Sequence, residues 1–495
     1  MFRLVRLLMF GGLLGKGLGI ARELITGWLF GTGTVASSYR MAQSAFLIPL
    51  NGFASDALNG ALTPRMARHA AMDRERAGHL FAGMHMVVLI VSLLTGLGMF
   101  LLVRQWVGLL APGFNFETAA LTIDMVCIMT MGMVPHFLCS LYASVDLAHG
   151  GGRLTALRAS VQSAGLVSGT VLAWWLAQPL WIPAGFVAAQ WALAAWGCVV
   201  VRRLHYRFWP TTASWSLVRD ELTHVWRAFR VLVWVPMAMQ LHFIVERQVA
   251  SLVHPEAVAA LDYARFLSDT AVYLLAMPFG MAGLAAMASM AEEEFKSAAA
   301  RSMRLLLVVT VPLSAITVAH AEWVVRLLFA RGAFDEESVA LTSAVLRCMG
   351  IGMWAQVLTY ASLKFLNARG RHGLVLAVTV CGALLNAGLN YWGWQQLGPS
   401  VLGLSAALNA IFMLPLIVWS LSIGRRLAFD VAYFGVSFIA YVAFWHLIGA
   451  VPHELILVPL VAGACWATLV LAPRRYRQMF LGAVMPRRCS VPLSP

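Results

Sequence analysis

The sequence predicts an all-α polytopic membrane protein of about fourteen transmembrane helices, arranged as two six-helix lobes followed by a C-terminal helix pair. Three observations predict it. Of the 495 residues, 60% are hydrophobic and 12% charged, and the mean hydropathy is +0.76, more apolar surface than a soluble chain can hide. Apolar stretches of about 20 residues, each able to cross a ~30 Å hydrocarbon core as a helix, recur from the first ten residues to about residue 472. They are too many and too evenly spread for one signal peptide or anchor. The basic residues, finally, alternate in a way that only a multi-spanning chain explains.

The first lobe, 1–204, carries spans near 5–31, 35–62, 80–103, 118–147, 155–178 and 181–201. A basic linker rich in Trp, His and Arg occupies 205–228. The second lobe, 229–427, carries spans near 229–253, 257–290, 303–325, 339–367, 373–394 and 400–423. The pair near 429–449 and 454–472 fills 428–475, and a short basic tail covers 476–495. With a cytoplasmic N-terminus, Arg3, Arg6, Arg65, Arg68, Arg74, Arg76, Arg153, Arg158, Arg202, Arg203 and Arg207 all fall on the cytoplasmic side. Lys296, Arg301, Arg369, Arg371, Arg425, Arg426 and Arg474 follow suit, while the outward loops hold little beyond Arg104 and Arg331. This asymmetry places both termini in the cytoplasm and requires an even number of spans.

The same placement accounts for the net charge of +14. A nucleic-acid surface would gather those charges on one face with interleaved aromatics, and no such patch is present. Seven cysteines lie mostly within apolar runs, without CxxC or Cys/His metal spacing, and read as small buried hydrophobes. No metal or other cofactor is expected. No segment outside the spans exceeds about 30 residues, too short for a soluble catalytic domain, so an enzyme is not expected either.

The chain repeats weakly at an offset of about 217 residues. Trp106-Val107, Gly113-Phe114, Glu117 and Ala120-Leu121-Thr122 are answered by Trp323-Val324, Ala333-Phe334, Asp335 and Ala340-Leu341-Thr342. Chance likeness of two apolar segments is the competing reading. Six spans separate the copies, so the lobes would share one orientation, as in two-lobed transporters.

Ionisable residues at mid-membrane cost about 2.5–3.5 kcal/mol on insertion scales, so each should be paired, face water or work. Lys16, Arg22 and Glu23 lie in the first span. Lys16 and Glu23 are seven apart and share a face, leaving Arg22 as an unpaired cation about 120° away. Among the surrounding glycines, Gly15 and Gly19 have small-xxx-small spacing for close helix approach. Asp262, Arg265 and Asp269 form one stripe of the eighth span, and Glu246 and Arg247 lie nearby in the seventh. Either these are mutually neutralising pairs, or Arg265 faces a cavity and forks onto an anion. Arg40 is expected to snorkel to the outer interface; Asp56, Asp124 and Asp146 are weaker candidates. His136, His242 and His446, without a neighbouring nucleophile, are expected as hydrogen-bonded core residues.

Leu18-Gly19-Ile20-Ala21-Arg22-Glu23, Phe30-Gly31-Thr32-Gly33, Phe46-Leu47-Ile48-Pro49 and Asn59-Gly60-Ala61-Leu62-Thr63-Pro64 resemble the opening of the MurJ/MviN lipid II flippases of the MOP transporter superfamily. Asp262-Tyr263-Ala264-Arg265, Met277-Pro278-Phe279-Gly280 and Leu327-Leu328-Phe329-Ala330-Arg331-Gly332-Ala333-Phe334 are similar to further stretches of that family. The resemblance implies an alternating-access exporter that carries an undecaprenyl-pyrophosphate-linked peptidoglycan precursor to the outer leaflet through a cationic cavity. It also implies that the last helix pair helps hold the lipid tail. Arg22 and Arg265 match the family's cavity arginines and Lys16 stands where a further arginine is usual. Glu23, Glu246, Arg247, Asp262 and Asp269 are then candidates for gating or coupling. Two family charges are missing: Ser37 replaces an acidic residue and Ala54 an arginine. The alternatives are an exporter of another lipid-linked oligosaccharide, such as an exopolysaccharide or O-antigen unit, or a multidrug/cation antiporter, which would need an acidic cavity. Expected partners are the lipid-linked anionic glycan, membrane lipids and the cell-wall or polysaccharide synthesis machinery, with no nucleic acid.

Overall fold

The computed structural model describes residues 2–53, 56–210, 215–272 and 290–448, together with 275, 287, 464, 473 and 476. The described residues are helical apart from turns and short connections, as 60% apolar composition and periodic hydrophobicity require in lipid. In chain order the helices are α1 (Phe2–Phe30), α2 (Thr34–Phe53), α3 (Asp56–Met72), α4 (Arg74–Leu101), α5 (Val103–Leu110), α6 (Phe116–Thr130), α7 (Met133–Ala148), α8 (Arg153–Trp175) and α9 (Trp181–Arg203). They continue as α10 (Trp215–Leu232), α11 (Trp234–Val253), α12 (Ala257–Ala271), α13 (Glu292–Ala319), α14 (Ala321–Phe329), α15 (Glu336–Ala368), α16 (His372–Leu397), α17 (Ser400–Ser420) and α18 (Gly424–Ile448).

Seven of these helices are long and apolar enough to cross a membrane, or eight if α6 and α7, bent by 46°, form one span. The expected count of about fourteen is larger. The helix α1 carries Lys16, Arg22 and Glu23 in its middle, and the second expected span is divided between α2 and α3. Of the eighth, only α12 and a few residues beyond it are described, and the span at 454–472 lies almost wholly outside the described residues, as do Ala54 and Met277-Pro278-Phe279-Gly280.

The repeat extends to whole helices. Starts at 74, 103 and 116 are matched by starts at 292, 321 and 336, offsets of 218, 218 and 220.

The chain divides into two compact units. Unit 1 comprises Met1–Ala260 and Leu328–Val339, and unit 2 comprises Leu261–Leu327 and Ala340–Pro495. In unit 1, α1 packs along α8 and α8 along α9 through small residues. A Cβ on Gly11 would meet the Ala156 carbonyl oxygen at 2.4 Å and one on Gly15 would meet the Ala159 Cβ at 3.0 Å, whereas Gly19 faces open space. The close-approach pair is therefore Gly11 and Gly15, not Gly15 and Gly19. Between α8 and α9, Gly165, Gly169 and Gly185 play the same part.

In place of a plain linker, residues 215–232 form the amphipathic helix α10, which packs on α3 and α4. Val218 and Val225 are buried while Trp215, Arg219, Trp226 and Arg230 are exposed. Glu221, 3% exposed, accepts from Arg65 Nε at 2.5 Å and lies 3.1 Å from His69 Nε2. Burial opposes its charge, but the Arg65 hydrogen bond and charge, helped by His69, hold its carboxyl below the usual range.

Unit 2 centres on a core built from α13, α15, α17 and α18, including Phe295, Leu306, Phe365, Ile417 and Phe434. On α18, the buried Asp430 accepts from Arg304 Nε at 2.7 Å and from Tyr476 Oη at 2.8 Å, tying α18 to α13. No local sequence pattern links Arg304 to Asp430, which lie 126 residues apart.

Candidate functional site

The charged middle of α1 is where the candidate residues of unit 1 meet. Arg22 donates to Glu23 Oε1 from Nε at 3.0 Å and from Nη2 at 2.5 Å. Arg40, on α2, donates from Nη1 to Oε1 at 3.3 Å and from Nη2 to Oε2. Glu23 is 2% exposed and Arg40 4%, whereas Arg22 is 23% exposed. Arg22 is not an unpaired cation, and Arg40 does not snorkel: both guanidiniums share one carboxylate, which a buried acid in low dielectric demands. The local frame is set by hydroxyls satisfied on the helix backbone, Thr26 on the Arg22 carbonyl at 2.8 Å and Ser44 on the Arg40 carbonyl at 2.9 Å. The cluster still holds two guanidiniums for one carboxylate, a net charge of +1, and the more exposed group is Arg22.

Lys16 is exposed on α1 two turns earlier. Ser37, at the position of the missing acid, is fully buried and donates to the Thr32 carbonyl at 2.9 Å, so a neutral backbone contact replaces a charge. Glu246 and Arg247 are buried on α11, with Arg247 Nη1 donating to the Val258 carbonyl at 3.4 Å. In unit 2, Asp262 and Arg265 are half-buried and Asp269 is exposed on α12.

Among the other polar candidates, Asp146 and His136 make contacts that join helices. Asp146 accepts from the Gly152 amide at 2.7 Å and so joins the end of α7 to the start of α8. His136 lies 2.9 Å from Arg158 Nη2, and His242 packs on Phe243. His446 is exposed on α18 and so is not the core residue expected. Asp124 is exposed. No group of His, Cys, Asp or Glu among the described residues could hold a metal ion.

At the end of unit 1 away from Phe2, the segment 331–338 closes over the last turn of α1. The Ala333 amide donates to the Trp28 carbonyl at 2.8 Å. Thr32 Oγ1 donates to Glu256 at 2.7 Å and lies 2.8 Å from Ser338 Oγ. Gly332, at φ +62°, has no room for a side chain: a Cβ would meet Trp28 Cδ1 at 2.2 Å. Asp335 immediately precedes α15, and the Ser338 amide, donating at 2.9 Å, holds its carboxyl below the usual range. At the same end Gln248 Nε2 donates to the Leu109 carbonyl at 2.8 Å, and the Gly113 amide to Ser251 Oγ at 3.2 Å. The motif 328–334 was legible as a signature, but its partner on α1, some 300 residues away, was not.

Long apolar helices, a twofold internal repeat and an ion cluster buried inside unit 1 define a polytopic membrane transporter. The fold matches a solved structure described as lipid II flippase MurJ in an inward closed conformation, with a TM-score of 0.81 at 15% identity, covering 97% of this chain and 99% of that one. It also matches an inward-facing multidrug resistance MATE family transporter of the MOP superfamily, with a TM-score of 0.69 at 13% identity over 83% of this chain and 96% of the other. The family model described as "Lipid II flippase MurJ" matches residues 27–480. Proteins named probable lipid II flippase MurJ are similar in Synechocystis (24% identical) and Rhizobium meliloti (26%), each over 84% of this chain and 80% of theirs. The chain belongs to the MurJ family.

Proposed function

We propose that this chain is a flippase that moves lipid II from the inner to the outer leaflet by alternating access. The family match over residues 27–480 carries this reading. The buried ions supply its chemistry. A diphosphate entering a low-dielectric interior needs fixed cations to replace its water. Arg22 is the group suited to exchange, because Glu23 keeps Arg40 as a counter-ion when Arg22 turns to a phosphate. Arg265 and Lys16 are the proposed further cations, and Glu23, Glu246, Arg247, Asp262 and Asp269 the groups that gate or couple the cycle.

In this reading both termini are cytoplasmic in a bacterial inner membrane, and about fourteen spans form lobes at 1–204 and 229–427, a linker at 205–228, a pair at 428–475 and a tail at 476–495. The contacts of Thr32, Glu256 and Ser338 then close the outward end, and must part for release. The cell-wall synthesis machinery would supply and consume the cargo.

The test is complementation of a bacterial strain depleted of its own lipid II flippase. Wild-type protein is expected to restore growth, and R22A and R265A to lose rescue while still inserting in the membrane. Full rescue by both variants would overturn the cationic-cavity mechanism. Failure of the wild type, with loss of a surface polysaccharide on deletion, would instead indicate another lipid-linked oligosaccharide as cargo.

A further inference from the structure

A cavity of about 340 Å³ opens beside the start of α4, at the face where α9 ends. Its lining includes Arg74, Glu75, His79, His205, Arg207 and Trp209. Arg74 is anchored by donating from Nη2 to the Leu204 carbonyl at 3.1 Å, and Arg207 is exposed. Tyr206 fixes the loop between them, with its hydroxyl 2.9 Å from His149 Nε2 and its ring stacked on Phe81. Trp209 rests edge-on against His85 and remains 57% exposed.

The internal repeat supplies a comparison. At the matching start of α13, the first turn is Glu292, Glu293 and Glu294, the charge that a helix N-terminus favours. There Arg369 is bound by Glu292 at 2.8 Å and Arg426 by Glu293 at 2.5 Å. At the start of α4 the first turn instead contains Arg74, Glu75 and Arg76. Asp73 caps the helix and pairs with Arg76 at 3.3 Å, and Glu75 lies 3.6 Å from His79. Asp73 and Glu75 thus already answer the α4 dipole, and the cavity lining itself holds Arg74 and Arg207 against one carboxylate, Glu75, an excess of positive charge beside an indole at the rim. Such an arrangement is relieved by a bound anion.

We infer that this cavity is a second binding site, separate from the Glu23 cluster, for a phosphate-bearing ligand whose phosphate is held by Arg74 and Arg207 and whose attached ring lies against Trp209. Guanidinium forks match phosphate oxygens, and an exposed indole offers a face for a base or sugar. The volume suits a ligand of nucleotide size. A soluble nucleoside diphosphate and an anionic phospholipid headgroup share this chemistry, and the test separates them.

The full chain is placed in nanodiscs of phosphatidylcholine alone and titrated with adenosine diphosphate and with inorganic pyrophosphate. A second arm measures thermal stabilisation on adding phosphatidylglycerol to the discs. Binding in either arm is expected to weaken about tenfold in R74A/R207A and to fall with salt. R207A alone leaves the Leu204 anchor in place and should weaken it as well, and R74K/R207K should restore part of it. Response to the soluble probes assigns a soluble ligand; response to phosphatidylglycerol alone assigns a headgroup. No response in either arm, or a response untouched by these substitutions in folded protein, overturns the site. The measurement involves no transport, so its outcome is independent of the flippase reading.

Discussion

Glu23 is shared by two guanidiniums of different accessibility, and this difference orders their roles. Arg40, at 4% exposure, is the permanent counter-ion, while Arg22, at 23%, is the exchangeable one. R40A should therefore destabilise the protein by about 3–5 kcal/mol, the cost of leaving a buried charge short of its partner, and R22A by less. Thermal unfolding in detergent measures both, and E23A/R40A should recover part of the R40A loss. Equal losses for the two arginines would contradict the assignment. Arg22 and Glu23 were legible from the sequence because charge inside an apolar run is costly. Arg40 was misread because its partner lies 17 residues away on another helix, and a single sequence shows which residue is charged, not which carboxylate it reaches.

Among the elements, α10 shows what hydropathy conveys and what it omits. A Trp- and Arg-rich stretch between apolar runs was readable as a basic linker. That it is a helix docked on α3 and α4 depends on Val218, Val225 and the anchor at Glu221, whose partners Arg65 and His69 sit over 150 residues earlier. The same limit explains Gly11: its neighbour is Ala156, and spacing alone cannot separate Gly11 and Gly15 from Gly15 and Gly19, both four residues apart. Because the Glu221 carboxyl titrates below its ordinary value of 4.5, the anchor is fully present above that value. It is lost as pH falls through the depressed value. The protection of α10 amides against hydrogen exchange, relative to the intrinsic rate at the same pH, should consequently fall below about pH 4.5, and in E221Q exchange should be about tenfold faster even at pH 7. An unchanged rate in E221Q would show that apolar packing alone holds the helix.

For the whole molecule, class and family could be read from motifs because those strings are local, and the repeat because it is carried by helix starts. The compact units could not: the chain passes from unit 1 to unit 2 at residue 260, returns for 328–339 and leaves again. The returning segment makes the closure over Trp28 and Thr32. With the Thr32 and Ser338 hydroxyl oxygens 2.8 Å apart, a T32C/S338C pair should form a disulfide under oxidation and abolish rescue of flippase-depleted cells. A reducing agent should restore it. Growth that persists with the crosslink quantitatively formed would show that this closure need not open during transport.

The return of 328–339 also bears on synthesis. Unit 1 reaches Ala260 without its last piece, and Val339 is made 79 residues later. At about 5–20 residues per second, that is a delay of roughly 4–16 s. During that interval Trp28, Gly31 and Thr32 lack their permanent cover, while the first part of unit 2 is already leaving the ribosome. Unit 1 cannot be completed until the first part of unit 2, Leu261–Leu327, has been made, so a chain truncated before residue 328 would leave the first unit incomplete.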